Sequence, residues 1–124
     1  MNVERAMVLV AHGSSDPEWR RPLEQLHGML VEQVGERVAL AYLAHPPSIL
    51  DAIQAFAEAG YRRVVVVAAL LSPAGKHVKQ DIPEAVEQAR ARWPELDIAL
   101  APGTLGEDPR VIGAMAAVAR SCLD

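Results

Sequence analysis

The chain has 124 residues, 51% of them hydrophobic, which suits one domain and leaves little room for two. Twelve Lys and Arg against 16 Asp and Glu give a formal charge of −4, a poor basis for non-specific nucleic-acid binding. The N-terminus lacks a secretory pattern, no apolar run approaches the ~20 residues that span a bilayer, and the lone Cys122 cannot form an internal bridge, so a cytoplasmic domain over 1–124 is expected.

The first apolar run, Ala6–Ala11, predicts a strand. Asp16-Pro17 signals a helix start, but Pro22 inside a continuous helix would cost about 3 kcal/mol. A short turn over 17–21 and a helix from Pro22 to Val34 are therefore predicted, with Leu23, Leu26, Leu30 and Val34 on its buried face. A second strand follows over Val38–Leu43. Ser48 with Asp51 resembles an N-terminal cap, Ile49, Ile53 and Phe56 keep helical spacing, and Gly60 marks the stop.

The third strand, Arg63–Leu71, contains an unbroken apolar run from Val64. Such β-branched runs mark strands buried on both faces, the usual state in a parallel sheet between helices. Ile82, Val86, Ala89 and Trp93 then line a helix that Pro94 ends. The last strand is Leu96–Ala101, and Asp108-Pro109 opens a final helix with Ile112, Met115, Ala119 and Cys122 in one stripe. Strand and helix thus alternate four times, which specifies an α/β domain: a doubly wound, four-stranded parallel sheet in the order 2-1-3-4, with helices on both faces.

In such a sheet ligands bind beyond the carboxyl ends of the strands, near the point where the order reverses. The residues leaving strand 1 are His12-Gly13-Ser14-Ser15-Asp16, and those leaving strand 3 are Ser72-Pro73-Ala74-Gly75-Lys76-His77. His45 follows strand 2, and only His27 of the four histidines sits within a helix, where a structural role is expected. Neutral imidazole binds divalent Co, Ni, Fe or Zn and accepts a proton near neutral pH. Plainer readings stand beside these: His12 as a strand-end cap, His77 as an exposed residue of a helix first turn, His45 as a loop residue. The His12-Gly13-Ser14-Ser15 turn is too short for a phosphate-binding glycine fingerprint, and no carboxylate completes a serine triad.

Val8-Leu9-Val10-Ala11-His12-Gly13-Ser14 and Gly75-Lys76-His77-Val78-Lys79-Gln80-Asp81-Ile82-Pro83 together resemble the CbiX/SirB family of sirohydrochlorin chelatases. Pro102-Gly103-Thr104-Leu105-Gly106-Glu107-Asp108-Pro109 is similar to the family's leucine-glycine-x-histidine-proline turn. The likeness runs nearly end to end. It implies a lyase that inserts Co²⁺, or Fe²⁺ or Ni²⁺, into a tetrapyrrole on the way to cobalamin or sirohaem, the metal being a substrate and no organic cofactor being needed. It further implies His12 and His77 as catalytic and metal-binding residues, Ser14, Ser72, Gly75 and Lys76 as substrate contacts, and a homodimer of short chains.

Two departures matter. Many members carry a glutamate after strand 2, where this chain has Leu43-Ala44-His45-Pro46-Pro47-Ser48, and Asp108 stands where the family has its loop-4 histidine. His45 is the natural substitute as a third metal ligand or base. The missing acid also supports an alternative, a non-catalytic relative that holds metal or tetrapyrrole.

Overall fold

A computed structural model describes residues 2–72 and 75–124, with the backbone alone described at Asn2, Val3, Lys76, His77 and Val78. Four strands, β1 (Asn2–Ala11), β2 (Val38–Tyr42), β3 (Tyr61–Ala68) and β4 (Asp97–Thr104), form one sheet in the order β2-β1-β3-β4. Every pairing is parallel. The connecting helices are α1 (Pro17–Val34), α2 (Ile49–Glu58) and α3 (Gly75–Arg92), and α4 (Pro109–Ser121) follows a 3-10 turn at Leu105–Glu107. The doubly wound order read from the alternation is the order observed.

The pleat sends alternate residues to opposite faces. Val8, Val10, Val64, Val66 and Ile98 meet Ile53 and Phe56 of α2 and Ile82, Val86 and Ala89 of α3. Leu9 and Val67 face the other way, where Leu26, Leu30 and Val34 of α1 pack on them. His27 Nε2 donates to the Val38 carbonyl at 2.9 Å, so it ties α1 to β2, as its position within a helix suggested.

Besides strand bounds (β1 starts at Asn2 rather than Ala6, and β4 runs to Thr104 rather than Ala101), three expectations change. The first helix is continuous from Pro17, with Pro22 inside it. Asp16 accepts from the Glu18 N–H at 2.9 Å and the Trp19 N–H bonds three residues back to the Asp16 carbonyl, so a tight capped turn precedes Pro22. The carbonyl that Pro22 leaves unpaired belongs to exposed Glu18, where water can satisfy it. No α1 residue is fully buried, and Leu23, Leu26, Leu30 and Val34 are only half-buried. Second, β3 ends at Ala68 rather than Leu71, because the Leu70 carbonyl turns to accept the Gly106 N–H at 2.9 Å.

Third, the stripe on α4 faces solvent. All of Pro109–Ser121 is exposed, with Ile112 at 50% and Met115 at 40%, and Cys122 is exposed as well. Only Arg110, Arg120 and Ser121 are polar in this helix, which packs mainly on the preceding turn. On the α1 side of the sheet, Val65 is correspondingly only half-buried. No helix among the described residues is long and apolar enough to cross a membrane.

Candidate active site

The pairing register brings the carboxyl ends of the strands level. Ala11 lies beside Tyr42, Val10 beside Ala68, and Ala68 beside Thr104. The loops that begin at His12, Leu43, Ala69 and Leu105 therefore emerge along one edge of the sheet.

The His12 loop is fastened to the end of β2. The Leu43 N–H bonds the Ala11 and His12 carbonyls at 3.0 and 3.1 Å, and the Ala44 N–H donates to the His12 carbonyl at 2.8 Å. The His12 side chain is exposed. Its Nδ1 lies 3.3 Å from the Gly13 carbonyl, which can only accept, so that contact is made by an Nδ1–H, and Nε2 has no hydrogen-bond partner among the described residues. A ligand-accessible imidazole thus stands on a backbone held at both sides.

Gly13 takes φ +103°, a left-handed conformation that favours glycine, and it is buried. A Cβ there would lie 3.0 Å from both Cδ2 and Nε2 of His45 and 3.2 Å from the Tyr42 Cβ. The close approach to Gly13 is therefore made by a protein ring. Gly75 also has positive φ, at +79°, but it opens α3 and a Cβ there would meet nothing among the described residues.

His45 is half-buried and tilted over Tyr42, with ring centroids 4.4 Å apart. Its Nε2 accepts the Ser14 N–H at 3.2 Å and its Nδ1–H donates to the Pro46 carbonyl at 2.8 Å. Both nitrogens are engaged, so in this arrangement neither offers a lone pair to a metal. The Ser14 hydroxyl accepts the Asp16 N–H at 3.1 Å, and Ser72 is exposed after β3. His77 and Lys76 occupy the first turn of α3; their side chains lie outside the described residues.

At the β3–β4 end, Gly106 is buried and its missing Cβ is mandatory. A Cβ there would sit 2.0 Å from the Leu71 carbonyl oxygen. Thr104 and Glu107 form a capping box, with the Thr104 N–H and hydroxyl both donating to the Glu107 carboxylate at 3.1 Å. Glu107 puts an acid at this edge that the sequence reading passed over, although the Thr104-x-x-Glu107 spacing is a recognisable capping signal. Asp108 caps α4 by accepting the Arg110 N–H at 2.8 Å. The Arg110 guanidinium, bonded to both carboxylate oxygens, pulls the Asp108 carboxyl down to about 2.

Two open hollows adjoin here. One, of about 250 Å³, lies against Ala68, Lys79, Leu100 and Thr104, and the other, of about 340 Å³, against Glu107 and Asp108. They share Pro102, Gly103 and Thr104. Arg20 Nε is buried without a hydrogen-bond partner among the described residues. No three His, Cys, Asp or Glu side chains among those residues converge as a metal-binding group.

Comparison with known proteins decides the family. A CbiX family model matches residues 6–122. The chain belongs to the CbiX family. It is similar to the sirohydrochlorin cobaltochelatase of Methanopyrus kandleri, 37% identical over 82 residues that are 64% of this chain and 56% of that protein. The sirohydrochlorin cobaltochelatase of Sulfurisphaera tokodaii is 33% identical over 85 residues, 68% of this chain and 69% of that one. The match therefore spans little more than half of the Methanopyrus protein.

Among solved structures, the CbiX protein of Marinobacter aquaeolei VT8 superposes with a TM-score of 0.83 at 30% identity, over 97% of this chain and 95% of that one. Sirohydrochlorin chelatase SirB of Bacillus subtilis subspecies spizizenii, in complex with cobalt, shares the fold at a TM-score of 0.81 and 24% identity. There 96% of this chain covers 51% of a longer one. SirB from Bacillus subtilis with Fe³⁺ gives 0.76 at 25% identity, over 93% of this chain and 46% of that one. This domain corresponds to about half of either SirB chain.

Proposed function

We propose that this chain is a metal chelatase of the sirohydrochlorin cobaltochelatase type, a lyase whose two substrates are a divalent metal ion and a tetrapyrrole. The observation that carries the reading is the His12 loop. It presents one exposed imidazole, with no partner on Nε2 among the described residues, at the carboxyl edge of a CbiX-family sheet. His77, in the first turn of α3, is the second ligand.

Metallation must hold a divalent ion weakly, admit the macrocycle nitrogens and remove two pyrrole N–H protons, so that M²⁺ plus free base gives metallated product plus two H⁺. Two imidazoles leave coordination positions open for the incoming nitrogens. As the ion passes to the ring, a released imidazole takes up a departing proton. Cobalt is the metal we assign, with Fe²⁺ and Ni²⁺ as competitors. Ser14, Ser72, Gly75 and Lys76 would contact the tetrapyrrole, and Lys79 of the smaller hollow would pair with a carboxylate on its rim.

Three observations support a homodimer. The domain matches about half of the SirB chains, the hollows are open on one side, and a nearly all-apolar helix, α4, has no covering layer. A helix apolar around most of its circumference is stable in water only when something covers it. The single exposed thiol of Cys122 suits the reducing cytoplasm, where we place the reaction.

The carrier reading has one observation in its favour: position 45 supplies neither the family's carboxylate nor a free imidazole nitrogen. Purified protein mixed with sirohydrochlorin and Co²⁺ and followed by absorption separates the two. Metallation faster than the protein-free rate, and lost in His12→Ala, is expected; binding without acceleration would establish the carrier.

A further inference from the structure

We propose that His45 is a positioning residue, which sets the conformation of the His12 loop through Ser14 and does not ligate the metal. The inference rests on the chelatase reading for its kinetic consequence and on hydrogen-bond chemistry alone for its geometry. A carbonyl oxygen can only accept and a peptide N–H can only donate. With the Pro46 carbonyl 2.8 Å from Nδ1 and the Ser14 N–H 3.2 Å from Nε2, a single tautomer satisfies both: hydrogen on Nδ1, lone pair on Nε2. A metal at Nε2 would have to displace the Ser14 N–H, and one at Nδ1 would have to displace a proton already in a hydrogen bond.

The ring also fills the space that a side chain at position 13 would need, and Tyr42 backs it from the other side. The loop is therefore fixed at two points. The Ala44 N–H holds the His12 carbonyl, and the His45 ring holds the Ser14 amide two residues on. Between them Gly13 adopts φ +103°, the turn that carries the chain from the His12 carbonyl to the Ser14 amide. After β2 this chain places an imidazole whose two nitrogens are both spent within the protein.

Two substitutions separate acceptor from ligand. The side-chain carbonyl of His45→Gln can still accept the Ser14 N–H but is a weak ligand for Co²⁺, whereas His45→Ala removes both capacities. Turnover of Co²⁺ with sirohydrochlorin should fall about tenfold in His45→Ala at unchanged KM for Co²⁺, the loss expected when a half-buried N–H loses its partner. His45→Gln should recover turnover to within about threefold of the natural chain. Long-range ¹H–¹⁵N spectra of the metal-free protein should show His45 as the Nδ1–H tautomer. An Nε2–H tautomer, or equal losses in both variants with a raised KM for Co²⁺, would overturn the proposal. The tautomer is read without turnover, so it decides the role of His45 even where the chelatase reading itself fails.

Discussion

Helices α2 and α4 have similar local instructions and opposite fates. Each begins at a capping side chain, Ser48 with Asp51 in one and Asp108 ahead of Pro109 in the other, and each carries a mostly apolar body. Yet α2 buries Ile49, Ala52, Ile53 and Phe56, while α4 buries nothing. A cap and a 3.6-residue period tell a segment to coil, and whether the coil finds a surface depends on what the rest of the chain has left uncovered. The face that receives α2 is built largely by β1 and β3. In α4 the same code stays unspent within one copy of the chain.

The sharpest way to break this contrast is to substitute the apolar residues themselves. Ile53 has no exposed surface, so Ile53→Ala should lower the unfolding free energy by about 2–5 kcal/mol at any protein concentration, read by urea denaturation. Met115→Asp on α4 should leave the far-UV circular dichroism in place and halve the solution mass measured by light scattering. A Met115→Asp protein that unfolds, or keeps its mass, would show that α4 is covered within the chain or needs no cover. Next is Gly106→Ala, which thrusts a methyl group into the Leu71 backbone and should cost about 3 kcal/mol or more.

The caps give a smaller comparison. Ser48→Ala should cost about 1 kcal/mol and appear in the global unfolding midpoint, because α2 melts with the core. Asp108→Ala should instead speed hydrogen exchange in the first turn of α4 and leave that midpoint nearly unmoved.

The smallest effect is a pH dependence confined to α4. A carboxyl whose folded value is lowered binds its proton less readily than in the unfolded chain, so its contribution is present above the ordinary range and fades as pH falls. Asp108, lowered from 3.8 to about 2 chiefly by the Arg110 hydrogen bonds, should thus keep α4 capped until the pH approaches 2. A carbon-detected NMR titration should find that midpoint, and Arg110→Ala should return it towards 3.8.

Much of this was legible along the chain. The unbroken run from Val64 announced a strand inside a parallel sheet, and the β-α alternation specified an α/β domain, for which the doubly wound order 2-1-3-4 was the expectation and is the order observed. The break at Pro22 was misplaced because helix propensity prices an interior proline, whereas here a capped first turn precedes it and its orphaned carbonyl faces water. His12 and His45 looked alike on paper, each a histidine just beyond a strand. They differ because His12 Nε2 meets no partner among the described residues while both nitrogens of His45 meet backbone groups.

The order of residues by itself determined the class of fold and the starts of α2 and α4, since periodicity and capping are properties of near neighbours. Only the tertiary structure decided that Gly106 must pass against Leu71, that His45 closes on Ser14, and that α4 stands clear of its own sheet. Those outcomes are fixed by the register between strands far apart in sequence, which brings particular donors, acceptors and surfaces within ångströms of one another.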